Sequence, residues 1–143
     1  MYKRETLFFP SENISAEKLL HWAKQFNVFT LLNSNIKADN PKDSYSKFDL
    51  LLAVKPVEQF CDEGTHAFEI IKNFPQKNDW HILHLSYDLK NRIEELKSQN
   101  SDGVKFPEFL FYCPSIVFEI KNNKLAIHFF REFNSEEEIA EIV

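Results

Sequence analysis

The chain has 143 residues, 43% of them hydrophobic, with fifteen Phe, four Tyr and two Trp and a formal charge of −5. That size fits one domain, residues 1–143, and the aromatic load favours a dense core over disorder. Mild acidity with interspersed Lys and Arg speaks against nucleic acid as a partner, and no stretch has the length of a membrane span.

In chain order, Thr6 to Phe9 reads as a strand closed by Pro10. Ser15 is then an N-cap for a helix whose Leu19, Leu20, Trp22, Ala23 and Phe26 share one face, with Asn27 at its end. Val28 to Asn33 is a continuous apolar strand. A polar loop, Ser34 to Ser44, holds the turn signal Asn40-Pro41-Lys42-Asp43, and Phe48 to Lys55 is a second buried strand, stopped by Pro56 and expected to pair with the first.

Thr65 to Phe74 carries Ala67, Phe68, Ile70, Ile71 and Phe74 at helical spacing ahead of Pro75. Trp80 to Ser86 reads as a strand. Asp88 is placed to cap a helix from Leu89 to Ser98, with Ile93 and Leu96 inward and Lys90, Arg92, Glu95 and Lys97 outward. Phe106 to Tyr112 forms an aromatic strand punctuated by Pro107 and Pro114. Ile116 to Lys121 and Leu125 to Phe130 alternate across Asn122-Asn123, a hairpin signal because Asn tolerates positive φ. Ser135 with Glu138 makes a capping box before Ile139 and Ile142. Strands and helices without strict alternation predict an α+β domain: an antiparallel sheet or sandwich with three to four flanking helices.

The chain is poor in catalytic signatures. His81 and His84 are the close histidine pair, but at i, i+3 in a strand they point to opposite faces and do not share an ion, so no metal site is expected. Gly64 and Gly103 alone cannot build a phosphate cradle, and neither a nucleophile elbow nor a Ser-His-Asp order is visible. Glu136-Glu137-Glu138 reads as a solvated first turn that meets the helix dipole. Asp88 beside Tyr87 reads as a cap before it reads as a catalytic pair. Cys61 and Cys113 form neither a disulfide framework nor a CxxC pair, and the N-terminus lacks the apolar run of a signal peptide, so a reducing cytoplasm is expected. No catalytic residue and no cofactor is expected in the chain itself.

Where chemistry does gather is around the loop between Asn33 and Phe48. Both strand ends there carry hydroxyl, amide and charged groups at the margin of an apolar core, which suits a small zwitterion.

Three segments together resemble a known family. They are Leu31-Leu32-Asn33-Ser34; Tyr45-Ser46-Lys47-Phe48-Asp49 leading into Leu50 to Pro56; and Ser86-Tyr87-Asp88-Leu89-Lys90-Asn91-Arg92-Ile93-Glu94-Glu95-Leu96, followed by Asp102 and Phe106-Pro107-Glu108. Their order and spacing look like the N-terminal domain of component I of para-aminobenzoate (aminodeoxychorismate) synthase, from about Leu20 to Phe130. The related anthranilate synthase component I shares the Leu31 to Ser34 pattern, and its N-terminal domain is the fold the resemblance implies.

The resemblance implies a non-catalytic piece of a longer transferase. Its parent would convert chorismate and ammonia to 4-amino-4-deoxychorismate for folate biosynthesis. The chorismate-binding domain, with its magnesium, would lie beyond Val143, and a glutamine amidotransferase subunit (component II) would supply ammonia. It also implies a tryptophan pocket at Leu32, Ser34, Tyr45, Ser46, Lys47 and Phe48. In that pocket the serines or nearby backbone would bond the ammonium and carboxylate, Leu32 and Phe48 would form apolar walls, and Lys47 would offset the carboxylate. Lys47 stands where the family commonly has Arg, and Leu83 and Ser86 where it has glycines. The alternatives are a tryptophan-binding regulatory domain of anthranilate synthase component I, and a free-standing amino-acid-binding or docking module.

Overall fold

The structure, a computed structural model, describes residues 3–35, 46–62, 66–73, 79–94 and 103–142. It is α+β, with a mostly antiparallel six-stranded sheet. The chain divides into two compact units, one of Met1–Pro56 with Pro114–Val143 and the other Val57–Cys113.

The first unit holds strands β1 (Arg4–Pro10) and β2 (Phe29–Asn33), the start of β3 (Leu50–Asp62), the end of β5 (Phe109–Lys121) and β6 (Lys124–Phe130). Their order is β1-β6-β5-β3-β2. Antiparallel register sets Leu7 opposite Ile127 and Ile127 opposite Phe118, while Leu31 faces Leu52. Alternation along each strand therefore gathers one apolar face. Leu50, Leu52, Val54, Ile116, Phe118, Leu125, Ile127 and Phe129 form its buried centre, joined by Leu19 and Ala23 from helix α1 (Ala16–Ala23) and by Ile139 from α4 (Glu136–Glu141). Trp22 sets its ring edge-on to Phe118 at 5.3 Å.

Both helices start as the sequence predicts. Ser15 Oγ accepts from Lys18 N, and Ser135 and Glu138 form the reciprocal capping box. Helix α1 ends at Ala23, earlier than Asn27, and Leu20 lies on its exposed side, so the inward stripe is narrower than the apolar spacing suggests. Asn122 and Asn123 join β5 to β6 at φ 50° and 60°, the twin positive values of a two-residue hairpin turn.

The second unit packs β4 (Ile82–Leu85) antiparallel to the start of β5, with Leu83 opposite Phe111 and Leu85 opposite Phe109. Helix α2 (Ala67–Asn73) lays Ala67 and Ile70 on Phe109 and Phe111, together with Phe60 and Leu89. Phe68 and Ile71, expected on the same apolar stripe, are exposed. Thr65, Phe74 and the segment from Glu95 to Ser98 lie outside the described residues.

Several boundaries differ from expectation for physical reasons. Pro56 does not stop β3, which runs on to Asp62: Lys55 takes φ 53°, and this local irregularity lets the strand pass through a residue with no N–H to give. Pro114 likewise lies inside β5, so the two expected strands on either side of it are one. The Arg4 guanidinium reaches the carbonyls of Pro114 at 2.8 Å and Ser115 at 3.3 Å, beyond the last β5–β6 pair at Ile116 and Phe129. It also stacks over the Phe130 ring at 3.9 Å. Finally, Ser86 and not Asp88 is the cap after β4: its Oγ accepts from Asp88 N, opening a 3-10 turn (Tyr87–Leu89) that leads into α3 (Lys90–Glu94). The turn buries Leu89 and leaves Ile93 66% exposed, against the inward placement expected of it.

Among the described residues no helix is long and apolar enough to cross a membrane.

Candidate functional site

The β2–β3 pair decides what surrounds the loop singled out by sequence. Phe29, Leu31 and Asn33 oppose Val54, Leu52 and Leu50, and the apolar members of this row face the core of the first unit. Thr30 and Leu32 oppose Ala53 and Leu51 and therefore belong to the other face of the sheet. There Leu51 is buried and Leu32 is 45% exposed, an apolar side chain available at the sheet margin.

Past the strand ends the ladder continues by one rung. Ser34 N–H donates to Asp49 O at 3.0 Å, and the Ser34 hydroxyl donates to Phe48 O at 2.6 Å. Asn35 then turns the chain away at φ 51°, its N–H donating to Asn33 Oδ1 at 2.9 Å. With its proton committed to Phe48, the Ser34 hydroxyl keeps its lone pairs. It can accept from an ammonium but cannot also donate to a carboxylate. Of the remaining candidates, Ser46 and Phe48 are half-buried and Lys47 is exposed. Ser34 is thus brought against Phe48, with Leu32 two residues before it and Ser46 and Lys47 on the chain entering Phe48. Tyr45 lies outside the described residues.

Asp49, the acid that closes this run, is not available to a ligand in the same way. Its N–H donates to Ile120 O at 2.8 Å, and its Oδ2 accepts from Asn122 N, also at 2.8 Å. The carboxylate holds the β5–β6 turn, leaving Lys47 as the charge nearest in sequence to the Ser34–Phe48 bond.

A second polar group was not anticipated. Thr6 Oγ1 lies 2.9 Å from His128 Nδ1, and His128 Nε2 lies 3.3 Å from Glu119 Oε2, forming a hydroxyl–imidazole–carboxylate row across β1, β6 and β5. The tautomer that satisfies both contacts carries its proton on Nε2 and accepts from Thr6. The hairpin register was the available signal: with Asn122 and Asn123 as the turn, Glu119 sits opposite Ala126 and diagonal to His128.

The residues set aside as structural have structural partners. His81 stacks on Phe111 at 5.5 Å while His84 meets Phe106 edge-on at 4.8 Å, so the two imidazoles serve different rings. Glu136 bonds Arg131 at 2.7 Å, and Arg131 also lies 3.3 Å from Glu5. Tyr87 is exposed, with Lys90 Nζ 4.6 Å from its ring centre. Among the described residues no group of three or more His, Cys, Asp and Glu side chains is arranged to hold a metal ion.

No family model matches the chain, and neither the curated proteins nor the solved structures compared with it contain a match.

Proposed function

We propose that this chain is the non-catalytic N-terminal domain of an aminodeoxychorismate synthase component I, a cytoplasmic transferase of folate biosynthesis, with the fold of the anthranilate synthase component I N-terminal domain. In this reading the parent enzyme converts chorismate and ammonia to 4-amino-4-deoxychorismate. Its chorismate-binding domain carries the magnesium, and an amidotransferase subunit delivers the ammonia.

The observation that carries the reading is the Ser34–Phe48 hydrogen bond. It fastens the Leu31 to Ser34 segment to the Ser46 to Asp49 segment at one end of the β2–β3 pair. Two segments separated in sequence and matched for their pattern alone are thus bonded to each other, which supports the reading. Within the third matched segment, Ser86 N–H donates to Glu108 O at 2.8 Å, joining its two ends. At the first site the ligand is tryptophan: its ammonium is received by the Ser34 hydroxyl, its carboxylate faces Ser46 and Lys47, and its ring lies along Leu32 and Phe48.

Two measurements test this. Reading the gene beyond the Val143 codon should show an in-frame chorismate-binding domain. A stop codon with no such sequence encoded nearby would overturn the assignment to a synthase. Calorimetry with tryptophan on the purified chain should give saturable heat, weakened about tenfold by Ser34→Ala, a loss of the order expected for one hydrogen bond. Saturable heat together with a stop codon would point to a free-standing amino-acid-binding module, and no heat at millimolar tryptophan would remove the pocket.

A further inference from the structure

Edge strands differ in how they are protected. Strand β1 closes one end of the strand order and carries Arg4, Glu5 and Pro10, devices that discourage pairing with another chain. Strand β2, at the other end, presents one exposed leucine, Leu32, and runs into the turn at Asn35. Strand β4 is bonded to β5 and, among the described residues, to no other strand. From Trp80 to Tyr87 its sequence holds no Asp, Glu, Lys, Arg, Pro or Gly.

The direction of its free backbone groups follows from one hydrogen bond. Ser86 N–H donates to Glu108 O, extending the β4–β5 ladder one pair past Leu85 and Phe109. In an antiparallel strand the N–H and C=O of one residue point the same way, and those of the next residue point the opposite way. Ile82, His84 and Ser86 therefore bond β5, while Leu83 and Leu85 turn both backbone groups outward. These same leucines are 46% and 45% exposed and lie on one face of the sheet.

We infer that β4 is the edge through which two copies of this chain pair, antiparallel, with His84 on the two-fold axis. In that register Leu83 of one copy opposes Leu85 of the other, and each exchanges both outward backbone hydrogen bonds with its opposite number. All the leucines of the joined edge lie on the same face. Centring the axis on Leu83 would set Leu85 against His81, and centring it on Leu85 would set Leu83 against Tyr87. A shift by one residue would oppose outward groups to groups already bonded to β5. The edge is thus self-complementary in hydrogen bonding and in side-chain type, as an isologous contact requires. It is also free of the charge that makes the rest of this acidic chain repel its copies.

Sedimentation velocity up to millimolar concentration should show a reversible dimer. Leu83→Lys and Leu85→Lys, both at exposed positions and checked for folding by circular dichroism, should each weaken it at least about tenfold. In a Cys61→Ser background, His84→Cys should cross-link on mild oxidation while Ile82→Cys should not, because only the axial residue meets its own copy. A chain that stays monomeric throughout, a dimer indifferent to both lysine variants, or equal cross-linking at both cysteine positions would each overturn the inference.

Discussion

The two units solve the same packing problem with unequal material. In the first, strands present a continuous apolar face to two capped helices, and polar groups at the strand ends are bonded: Arg4 to Pro114 and Ser115 carbonyls, Asp49 to the Asn122 turn, Lys55 to Asn134. In the second, Ala67, Leu89, Phe109 and Phe111 form a small buried cluster, Tyr112 and Cys113 are also buried, and large apolar side chains remain exposed: Phe68, Ile71, Leu83, Leu85 and Ile93. The first unit also leaves apolar side chains exposed, Phe8, Leu20, Leu32 and Phe133 among them, but beside a much larger buried cluster. The difference therefore places more of the packing stability in the first unit, while the pairing inferred for β4 draws on the second.

The largest expected effect breaks or keeps that contrast directly. Phe118 is fully buried, with Trp22 against it, so Phe118→Ala should cost about 3–5 kcal/mol in urea denaturation. Phe68 is 46% exposed, and Phe68→Ala should change stability by no more than about 0.5 kcal/mol. Equal losses would mean that the rim of the second unit is covered in solution and that the contrast is false.

Arg4 sharpens the same point, because it is a polar residue acting as part of the fold. Its planar fork bonds the carbonyls of Pro114 and Ser115 while its face lies on Phe130, and an ammonium cannot do both. Arg4→Lys should cost about 1–2 kcal/mol despite keeping the charge, since it strands a carbonyl and loses the stacking. An unchanged denaturation midpoint would show that water replaces the guanidinium at no loss.

Next in size is Asp49, which separates folding from binding at the candidate site. Asp49→Ala removes a charge-assisted hydrogen bond to Asn122 and should cost about 1–2 kcal/mol. Tryptophan affinity, measured where the variant is fully folded, should stay within about twofold of the parent chain. A large loss of affinity with stability intact would make Asp49 part of the pocket.

How far sequence reached depended on how local each signal was. The capping box at Ser135 and Glu138, the Ser15 cap and the Asn122-Asn123 turn are set by neighbours a few residues apart, and the β2–β3 pairing joins apolar strands consecutive in chain order; each stands as expected. Pro56 and Pro114 misled because a proline is read as a strand stop. Whether it stops one depends on what takes up the missing N–H and the displaced carbonyls, here the Lys55 irregularity and Arg4, the latter 110 residues away in sequence from Pro114. Ser86 displaced Asp88 as cap because a tight 3-10 turn precedes α3, and that turn also rotated Ile93 outward. At the candidate site, the approach of Ser34 to Phe48 was legible from strand pairing. The direction of the Ser34 proton and the commitment of Asp49 to another turn were not, because both depend on three-dimensional register.

The smallest expected effect tests whether the hairpin turn of the first unit is already optimal. Asn122 and Asn123 both hold positive φ, a conformation that disfavours most side chains and that glycine adopts freely. Asn123→Gly relieves that strain but gives the unfolded chain more freedom, and these terms oppose each other. Because Asn tolerates this region better than other non-glycine residues, the relief is small, and the net gain should be about 0.3–0.5 kcal/mol. Asn123→Ala should go the other way by about 1 kcal/mol, having neither glycine's freedom nor the short amide that supports a left-handed residue. The turn is anchored at Asn122 N–H by Asp49 in all of these variants, so the sign of the pair reports backbone strain and not loss of the anchor. If both substitutions destabilise equally, the Asn123 side chain itself holds the turn, and the hairpin owes its stability to a contact and not to backbone preference.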